Sequence, residues 1–353
     1  MGGVLGRAAG SGLVLPVNPA VAIHVESPRV LFVIPGEAQG SSMIFARRQA
    51  ASLAQQGVEV HLFHLRSRTS LTKLGSELIR FRRGMKRIQP HVIHAHFGTM
   101  TALFAAWAAP RRPLVITFRG SDLNAPPANA RRGARWRARA GQMLSQVAAL
   151  RAVRIVCVSR ELRERLWWRR GRAVVLPSGV DPDIFYPEDR ELVRARLGWS
   201  CAERVVLFNA GLDPAIKRVD LARHAVALAE DRLEGVRMEI LDGKTPAARV
   251  PDLLNAADCL LLTSDVEGSP TVIQEALACN LPVVSVEAGD TAERLRHVRH
   301  CAVVARDPAA IAAGLVRVLQ VPMRSNGRDK VREFSARKIA GELRRIYGEA
   351  GAG

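Results

Sequence analysis

Two glutamates eight positions apart are the residues of this sequence best placed to do chemistry. Glu267 lies in a short polar loop after an apolar run, and Glu275 falls on the helix expected to follow that loop. If every step between them is helical, they stand about 12 Å apart along the axis. A loop carboxylate can then bond sugar hydroxyls, a helical one can bond ribose hydroxyls, and the free N–H groups at residues 269–272 can bind phosphate. Glutamates are also common at ordinary helix starts, so the spacing alone leaves both interpretations open.

Polar and basic residues follow the other predicted strands, at the edge where open α/β sheets bind their ligands. Lys217 and Arg218 open a predicted helix. They could be plain surface cations, but their position after a strand favours phosphate binding. Of the three histidines at 91, 94 and 96, only His94 and His96 share a strand face, so we expect no metal site. The sequence lacks G-x-G-x-x-G after its first strand and has no P-loop motif, which argues against a nicotinamide dehydrogenase or a P-loop enzyme.

Short β-branched runs alternate with helical stretches along the chain, a pattern typical of parallel sheets covered by helices on both faces. The predicted strands are Val30–Ile34, Val58–Phe63, Val92–Ala95, Leu114–Phe118, Ile155–Val158, Val174–Leu176, Val205–Asn209, Arg237–Leu241, Cys259–Thr263, Val283–Val286 and Ala302–Val304. Three prolines and a glycine in 177–187 separate two such series. We therefore predict an α/β fold of two doubly wound, Rossmann-like domains. The expected divisions are a flexible extension at 1–27, domains at 28–183 and 184–330, and a final helical segment at 331–353.

Composition restricts the class of protein. A chain of 353 residues that is 48% hydrophobic and 24% charged fits a two-domain globular protein. No apolar run reaches the ~18–20 residues that span a bilayer, so an integral membrane protein is not expected. The five cysteines are scattered and form no C-x-x-C pair, which indicates reduced thiols and a cytoplasmic protein. The N-terminal stretch does not resemble a secretory signal.

Positive charge is concentrated in one segment of a chain whose formal net charge is +19. Between Arg131 and Arg172 the sequence has thirteen arginines, two acids and three interleaved tryptophans. Such a segment can lie on an anionic membrane surface, here the inner membrane face, or can be an ordinary solvated basic face, and the composition leaves both open. No nucleic-acid-binding motif is present, so nucleic acid is not an expected partner.

The stretch from Glu267 to Glu275 resembles the E-x7-E signature of the retaining glycosyltransferases of family 4 (glycosyl transferases group 1). The resemblance extends through Glu275-Ala-Leu-Ala and Pro282-Val-Val. Upstream, 177–187 resembles the family's interdomain segment "P-x-G-V-D…F-x-P", and Lys217-Arg-Val-Asp-Leu-Ala resembles its phosphate-binding lysine. Thr117-Phe-Arg-Gly-Ser-Asp122 is similar to its "T-x-H-G-x-D" loop. The subgroup most similar comprises bacterial transferases of teichuronic acid and other cell-surface polysaccharides.

The resemblance implies the GT-B fold: two Rossmann-like domains facing a central cleft, with the last helix crossing back onto the first. It implies a retaining, metal-independent hexosyltransferase that uses a UDP- or GDP-sugar as co-substrate and needs no cofactor. The acceptor would be a glycan or a lipid-linked glycan in cell-surface polysaccharide synthesis, bound on the N-terminal domain, with the sugar donor on the C-terminal one.

Site residues are carried over by position from the same resemblance. The expected catalytic residues are Glu267, Lys217 and Arg119. The expected donor-binding residues are Arg218, Gly268, Ser269, Pro270, Thr271, Glu275 and Asn209. The expected acceptor-side residues are Gly40, Ser41, His96 and Asp122, the last of which could instead cap a turn. Lys217 with Arg218 would neutralise the leaving diphosphate.

Three departures from the family pattern keep alternatives open. Asn209 stands where an arginine is usual, Arg218 replaces a glycine, and Arg119 replaces the loop histidine. The missing arginine keeps open a non-catalytic subunit that binds nucleotide sugar or membrane and supports a partner. A GT-B nucleotide-sugar epimerase is the other alternative, although the E-x7-E context argues against it.

Overall fold

The computed structural model describes residues 27–37, 43–126 and 131–351, so most of the extension expected at 1–27 lies outside the described residues. In the first domain these described residues form six strands and five α-helices. The strands are β1 (Arg29–Pro35), β2 (Glu59–Leu65), β3 (Val92–His96), β4 (Leu114–Phe118), β5 (Arg154–Cys157) and β6 (Ala173–Val175). The helices are α1 (Ile44–Ala54), α2 (Leu71–Ile88), α3 (Thr99–Ala108), α4 (Arg132–Arg151) and α5 (Arg160–Glu164). The strands pair in the order β2-β1-β3-β4-β5-β6.

The second domain repeats this plan with five strands. They are β7 (Arg204–Gly211), β8 (Val236–Asp242), β9 (Cys259–Leu262), β10 (Val283–Val286) and β11 (Ala302–Val304), in the order β11-β10-β9-β7-β8. The helices around them are α6 (Arg190–Leu197), α7 (Pro214–Lys217), α8 (Val219–Glu230), α9 (Val250–Ala256), α10 (Thr271–Ala278), α11 (Thr291–Leu295), α12 (Pro308–Leu319) and α13 (Gly327–Val331). The last helix of the chain is α14 (Ala336–Gly351).

Every strand pair in both sheets is parallel, as the continuous apolar runs predict. Each of the eleven predicted strands is present, with its ends within two residues of the predicted ones. Helices cover both faces of the first sheet: α2, α3 and α4 lie against one apolar cluster, and α1 and α14 against the other. The predicted α/β fold of two doubly wound domains is confirmed. No helix in the described part of the chain combines the length and apolar character that a bilayer crossing requires.

The C-terminal helix returns to the first domain. Ile339, Leu343, Ile346, Tyr347 and Ala350 form one buried stripe at helical spacing. This stripe packs against α1 and strands of the first sheet rather than against the second domain. The predicted crossing of the last helix is therefore confirmed.

The two segments that connect the domains run side by side. Val180 N–H donates to the Phe334 carbonyl at 3.1 Å, and the Ala336 N–H donates to the Val180 carbonyl at 2.7 Å. Gly179 lies at this crossing, where a Cβ atom would come within 2.6 Å of the Ala336 Cα. Backbone atoms cannot move aside as a flexible side chain can, so the crossing requires a residue without a side chain.

We expect Gly179→Ala to lower the free energy of unfolding by about 1–3 kcal/mol, because the added methyl group overpacks the crossing. Gly84→Ala is the matched control, since Gly84 lies within α2 with no atom within 4 Å of its added Cβ. The control should raise stability by up to about 1 kcal/mol through helix propensity. Urea denaturation of both variants checks this, and equal stabilities would contradict it.

Candidate active site

Loops at the carboxyl ends of the two sheets meet across a cleft, the position where open α/β sheets bind ligands. The cleft holds two adjoining cavities of about 700 and 650 Å³. Both are lined by Asn124 with its two following residues from the first domain and by residues 265–267 from the second. The larger cavity also reaches Arg218 and residues 287–289, and the smaller one reaches Arg119 and Lys217.

Glu267 and Lys217 form an ion pair in the wall of the smaller cavity. The Lys217 Nζ donates to Glu267 Oε1 at 2.5 Å, with the two side chains 24% and 13% exposed. Lys217 ends the one-turn helix α7, and Glu267 lies in the loop after β9. The structure thus brings together two of the three predicted catalytic residues, fifty positions apart in sequence. A partly exposed ammonium next to a carboxylate can bind an anion and a hydroxyl group at the same place.

A contact between glycines brings the two domains together beside this ion pair. A Cβ atom on Gly268 would come within 1.9 Å of the Arg119 carbonyl oxygen. Gly120 faces it with φ +148°, a conformation that favours glycine, and Gly289 packs on its other side. The Asn124 Nδ2 also donates across the interface to the Glu267 carbonyl at 2.8 Å. The backbone of the Glu267 loop is therefore fixed directly against the first domain.

Arg218 stands behind the ion pair, at the junction of α7 and α8. Its backbone is left-handed, with φ 57°. Its guanidinium pairs with Asp220 at 2.8 Å and with Asp265 at 3.3 Å. The hydrogen bonds to Asp220 and Asp265 raise its pKa. It lines the larger cavity as a permanently charged cation, consistent with the predicted donor side.

Arg306 is a cation of this region that sequence reasoning missed. It follows β11 and donates to the carbonyls of Thr263, Ser264 and Glu287 at 2.9, 2.5 and 3.1 Å. It also lies 3.4 Å from Asp265. By joining the loops after β9 and β10 it holds the cavity wall in place. The sequence around Arg306 contains no motif that indicates this role, because its hydrogen-bond partners are more than 18 positions away.

The second glutamate of the pair lies on α10 and faces the first domain. Arg48 of α1 donates to Glu275 Oε1 at 2.8 Å, and the glutamate side chain is 15% exposed. Burial raises the pKa of Glu275, while the charge of Arg48 and its hydrogen bond oppose that rise. A cavity of about 50 Å³ adjoins the pair.

The start of α10 leaves its first N–H groups available. No side chain caps the helix at Pro270, and Ser269 Oγ accepts instead from Gln274 Nε2 at 3.3 Å. Thr271 is the first helical residue and lines the cavity beside Glu275. The predicted donor residues Gly268, Ser269, Pro270 and Thr271 are thus contiguous in space with Glu267.

Arg119 lies at the edge of the smaller cavity, and its guanidinium is largely used by protein groups. It donates to Ser178 Oγ at 2.8 Å, lies 3.1 Å from His96 Nδ1 and stacks 3.8 Å over the Phe45 ring. Burial lowers its pKa to about 9, against the opposing effect of Asp122. Arg119 therefore remains cationic at neutral pH.

Two of the predicted acceptor-side residues lie beneath the cleft and are not exposed to it. Asp122 is fully buried and accepts the N–H groups of Gly98, Arg119 and Gly120 at 2.8–3.1 Å. Burial raises its pKa against the effect of these hydrogen bonds. His96 is fully buried too, and burial lowers its pKa well below the usual range. In this structure both side chains support the Arg119 loop from beneath, and direct acceptor contact by either one stays a prediction.

The remaining predicted residues are placed as follows. Asn209 Oδ1 accepts the Gly211 N–H at 3.0 Å, so this side chain stabilises the turn that ends β7. Gly40 and Ser41 lie outside the described residues. His94 is buried between Tyr347 and Thr117, each at 2.7 Å, and burial lowers its pKa to about 3. Across the residues that the structure describes, no group of three or more His, Cys, Asp or Glu is arranged to hold a metal ion.

The glycine contact predicts the effect of a single methyl group. Gly268→Ala should prevent the loops from meeting, because the methyl carbon would overlap the Arg119 carbonyl. We expect a larger radius of gyration by small-angle X-ray scattering. In the control Gly133→Ala the nearest atom is a flexible arginine end 3.9 Å away, so its curve should match the parent protein. Identical curves for all three proteins would contradict the prediction.

The ion pair between the domains predicts a pH-dependent loss of stability. In Arg48→Met the Glu275 carboxylate loses its partner, so burial raises its pKa further. A folded-state pKa above the unfolded one means that stability falls as pH rises through it. Urea denaturation should therefore show a loss of about 1–3 kcal/mol that is larger at pH 8 than at pH 5.

The double variant Arg48→Met/Glu275→Gln provides the control for that prediction. It has no carboxyl group at position 275, so the difference in stability loss between pH 5 and pH 8 should disappear. If the difference persists, Glu275 is not the titrating group.

Comparison with known proteins supports this architecture. Residues 41–184 match the family Glycosyltransferase Family 4, and residues 228–321 match Glycosyl transferases group 1. TuaC of Bacillus subtilis (strain 168), whose name assigns it to teichuronic acid biosynthesis as a glycosyltransferase, is 28% identical over 247 residues. That match covers 65% of this chain and 61% of the relative's length.

Solved structures share the fold at low sequence identity. Sucrose-phosphate synthase from Thermosynechococcus elongatus has a TM-score of 0.71 at 18% identity, covering 92% of this chain and 99% of that one. Anabaena HepE in complex with UDP-glucose has a TM-score of 0.69 at 16% identity, covering 91% of this chain and 99% of that one. UDP-GlcNAc 2-epimerase from Methanocaldococcus jannaschii has a TM-score of 0.58 at 11% identity, covering 91% of this chain and 99% of that one. The chain thus has the GT-B fold, and a segment in each of its two domains matches a glycosyltransferase family model.

Proposed function

We propose that this protein is a retaining glycosyltransferase that moves a sugar from a UDP- or GDP-sugar to a glycan or lipid-linked acceptor in cell-surface polysaccharide synthesis. The observation that carries the proposal is the Lys217–Glu267 ion pair at the domain contact, with Glu275 on the helix that follows. Matches of both domains to glycosyltransferase families, and the likeness to TuaC, support the activity class.

The donor would lie across the two adjoining cavities. Its diphosphate would meet Lys217 and Arg218, which line these cavities, and the uncapped start of α10, which follows the Glu267 loop in sequence. Negative charge on this diphosphate grows as the sugar leaves. Preorganised cations that meet developing charge in a water-poor cleft contribute much of a rate enhancement. Glu267 would accept a hydrogen bond from a sugar hydroxyl, and Glu275 would bond the ribose once Arg48 releases it.

Transfer would proceed on one face of the sugar. The bond between the anomeric carbon and the leaving phosphate oxygen breaks as the acceptor oxygen bonds that carbon from the same side. The acceptor proton passes to the leaving phosphate oxygen, so configuration is retained and no protein nucleophile is required. Arg119, at the edge of the smaller cavity, would hold the loop facing the phosphate and contribute its positive charge.

A non-catalytic nucleotide-sugar-binding subunit is the second candidate. Asn209 occupies the position of the usual phosphate-binding arginine and uses its side chain within its own turn. The neighbouring cations Lys217 and Arg218 would then have to bind the diphosphate without that arginine. The epimerase alternative shares the fold, as the archaeal epimerase structure illustrates, so it is separated by activity and not by architecture.

The proposal is tested by measuring nucleotide release from a panel of UDP- and GDP-sugars. The assay follows hydrolysis without acceptor and in the presence of a chelator. The parent protein should release nucleotide from one donor. Glu267→Gln and Lys217→Met should each lower the rate at least about 100-fold. Glu230→Gln and Lys330→Met make the same chemical changes on exposed positions of α8 and α13 and should leave the rate unchanged.

Three outcomes would contradict the proposal in different ways. Unchanged rates in both site variants would remove the catalytic role of the ion pair. Nucleotide-sugar binding by calorimetry without release, also in the presence of candidate acceptors, would favour the non-catalytic subunit. Conversion of the donor sugar to its epimer without transfer would favour the epimerase.

A further inference from the structure

The helix layer formed by α2, α3 and α4 has an uneven charge. Together these three helices contain eleven lysines and arginines and one acid, Glu77, which is buried and paired with Arg80. Within the described residues, no acid forms an ion pair with the arginines in the first half of α4. The outer side of this layer therefore presents positive charge that the protein does not neutralise.

A stripe of exposed apolar side chains runs along α4 through this charge. With about 100° of turn per residue, Trp136, Met143, Val147 and Leu150 fall within about 60° of one another over about 21 Å of helix. All four are exposed, and Trp136 is 65% exposed. Apolar residues on a helix normally face the core, so a second apolar stripe directed to solvent calls for a partner.

Arginines border the stripe at the N-terminal half of α4. By the same helical geometry Arg132 and Arg139 lie along one edge of the stripe, and Arg135 lies beside them. With Trp136 they line one shallow surface hollow. Cations beside an aromatic ring and aliphatic side chains form the arrangement that interfacial helices present to membranes.

Two further exposed tryptophans lie on segments that contact α4. Trp107, at the end of α3, is 71% exposed, and α3 packs directly on α4. Trp167 is 57% exposed, and its N–H donates to the Gln146 side chain of α4 at 3.1 Å. The neighbouring Trp168 indole donates to the Gln146 carbonyl at 2.7 Å. These bonds fix the segment after α5 beside α4 while Trp167 stays in solvent.

We propose that this face binds an anionic lipid bilayer. We define the α4 surface as Arg132, Arg135, Trp136, Arg139, Met143, Val147 and Leu150, with Trp107 and Trp167 beside it. Its cations would meet lipid phosphates, and its rings and aliphatic side chains would enter the boundary between headgroups and acyl chains. The sequence left a solvated basic face and a membrane surface equally open; the alignment of apolar and basic residues on one helix face favours the membrane.

The same residues argue against the other partners. A second copy of this chain docked through the same face would bring arginines against arginines, which is unfavourable. A nucleic acid would bind the cations through its phosphates, but it would make no use of an apolar stripe about 21 Å long. A bilayer uses both features at once.

The α4 surface lies close to the cleft. Ala134 and Ala138, on the opposite side of α4 from Trp136, line the 650 Å³ cavity together with Lys217 and Glu267. A bilayer on the outer side would thus be about one helix diameter, roughly 10 Å, from that cavity. An acceptor anchored in lipid could reach the cavity from there. The membrane contact itself does not depend on the proposed transferase activity.

Vesicle flotation tests the surface without any catalytic readout. The parent protein should float with phosphatidylcholine vesicles that contain one-third phosphatidylglycerol and should stay unbound with phosphatidylcholine alone. High salt should weaken binding. Each basic residue near an anionic surface contributes roughly fivefold to binding, so Arg135→Glu/Arg139→Glu should lower the partition coefficient at least about tenfold.

The matched control carries the same change of charge elsewhere. Arg223→Glu/Arg317→Glu alters exposed arginines on α8 and α12 of the second domain and should change partitioning less than about twofold. If both double variants lose vesicle binding equally, the effect depends only on net charge and the proposal is overturned. So would absence of binding by the parent protein.

The single variant Trp136→Ala separates lipid from other polyanions. It should lower vesicle binding severalfold and leave weak binding to heparin unchanged, because only the bilayer accepts the ring. If vesicle binding is unaffected, or if duplex DNA binds more tightly than the vesicles and competes for the same surface, the membrane assignment is wrong.

Discussion

The close approach of two loops, one from each domain, is the constraint on which the site depends. The Gly268 backbone lies against the Arg119–Gly120 backbone with no room for a side chain. This contact holds the Glu267 loop, which in turn holds the carboxylate that pairs with Lys217. A residue with a Cβ atom at Gly268 would separate the domains, and the two cavities that share Glu267 would lose one wall. Backbone contact of this kind defines position more tightly than a side-chain contact, because no rotamer can relax it.

The first domain supports its side of that contact through buried polar groups. Asp122 gathers the N–H groups of Gly98, Arg119 and Gly120, which ties the loops after β3 and β4 together. Phe97 and Thr99 beside them have positive φ values of 109° and 53°, conformations that cost energy and persist only where surrounding bonds fix them. Several hydrogen bonds from backbone N–H groups to one buried carboxylate can hold such a loop, since leaving these groups unpaired is expensive.

Charge is arranged differently on the two sides of the cleft. On the side of the second domain Arg218 and Arg306 share Asp265. Arg218 also pairs with Asp220, and Arg306 also donates to backbone carbonyls. On the other side Arg119 is partly buried and has no acid in ion-pair contact among the described residues, and burial lowers its pKa to about 9 against the opposing effect of Asp122. The helix α14 reaches this region through Tyr347, which bonds His94. The C-terminal crossing therefore supports the first domain's core directly beneath the site.

Sequence alone determined the strands, because parallel strands buried on both faces must be continuously apolar and can be read one by one. It also determined the local spacing of Glu267 and Glu275, whereas the crossing of the last helix was expected only from the family resemblance. Tertiary structure decided which side chains face the cleft. Asp122 and His96 have the same polar character as their exposed neighbours, and only packing shows that they are buried. Arg48 meets Glu275 across 227 positions, a pairing that no local pattern encodes. Local periodicity fixes the elements because it follows backbone geometry, whereas contacts between distant side chains exist only once two folded domains have closed on each other.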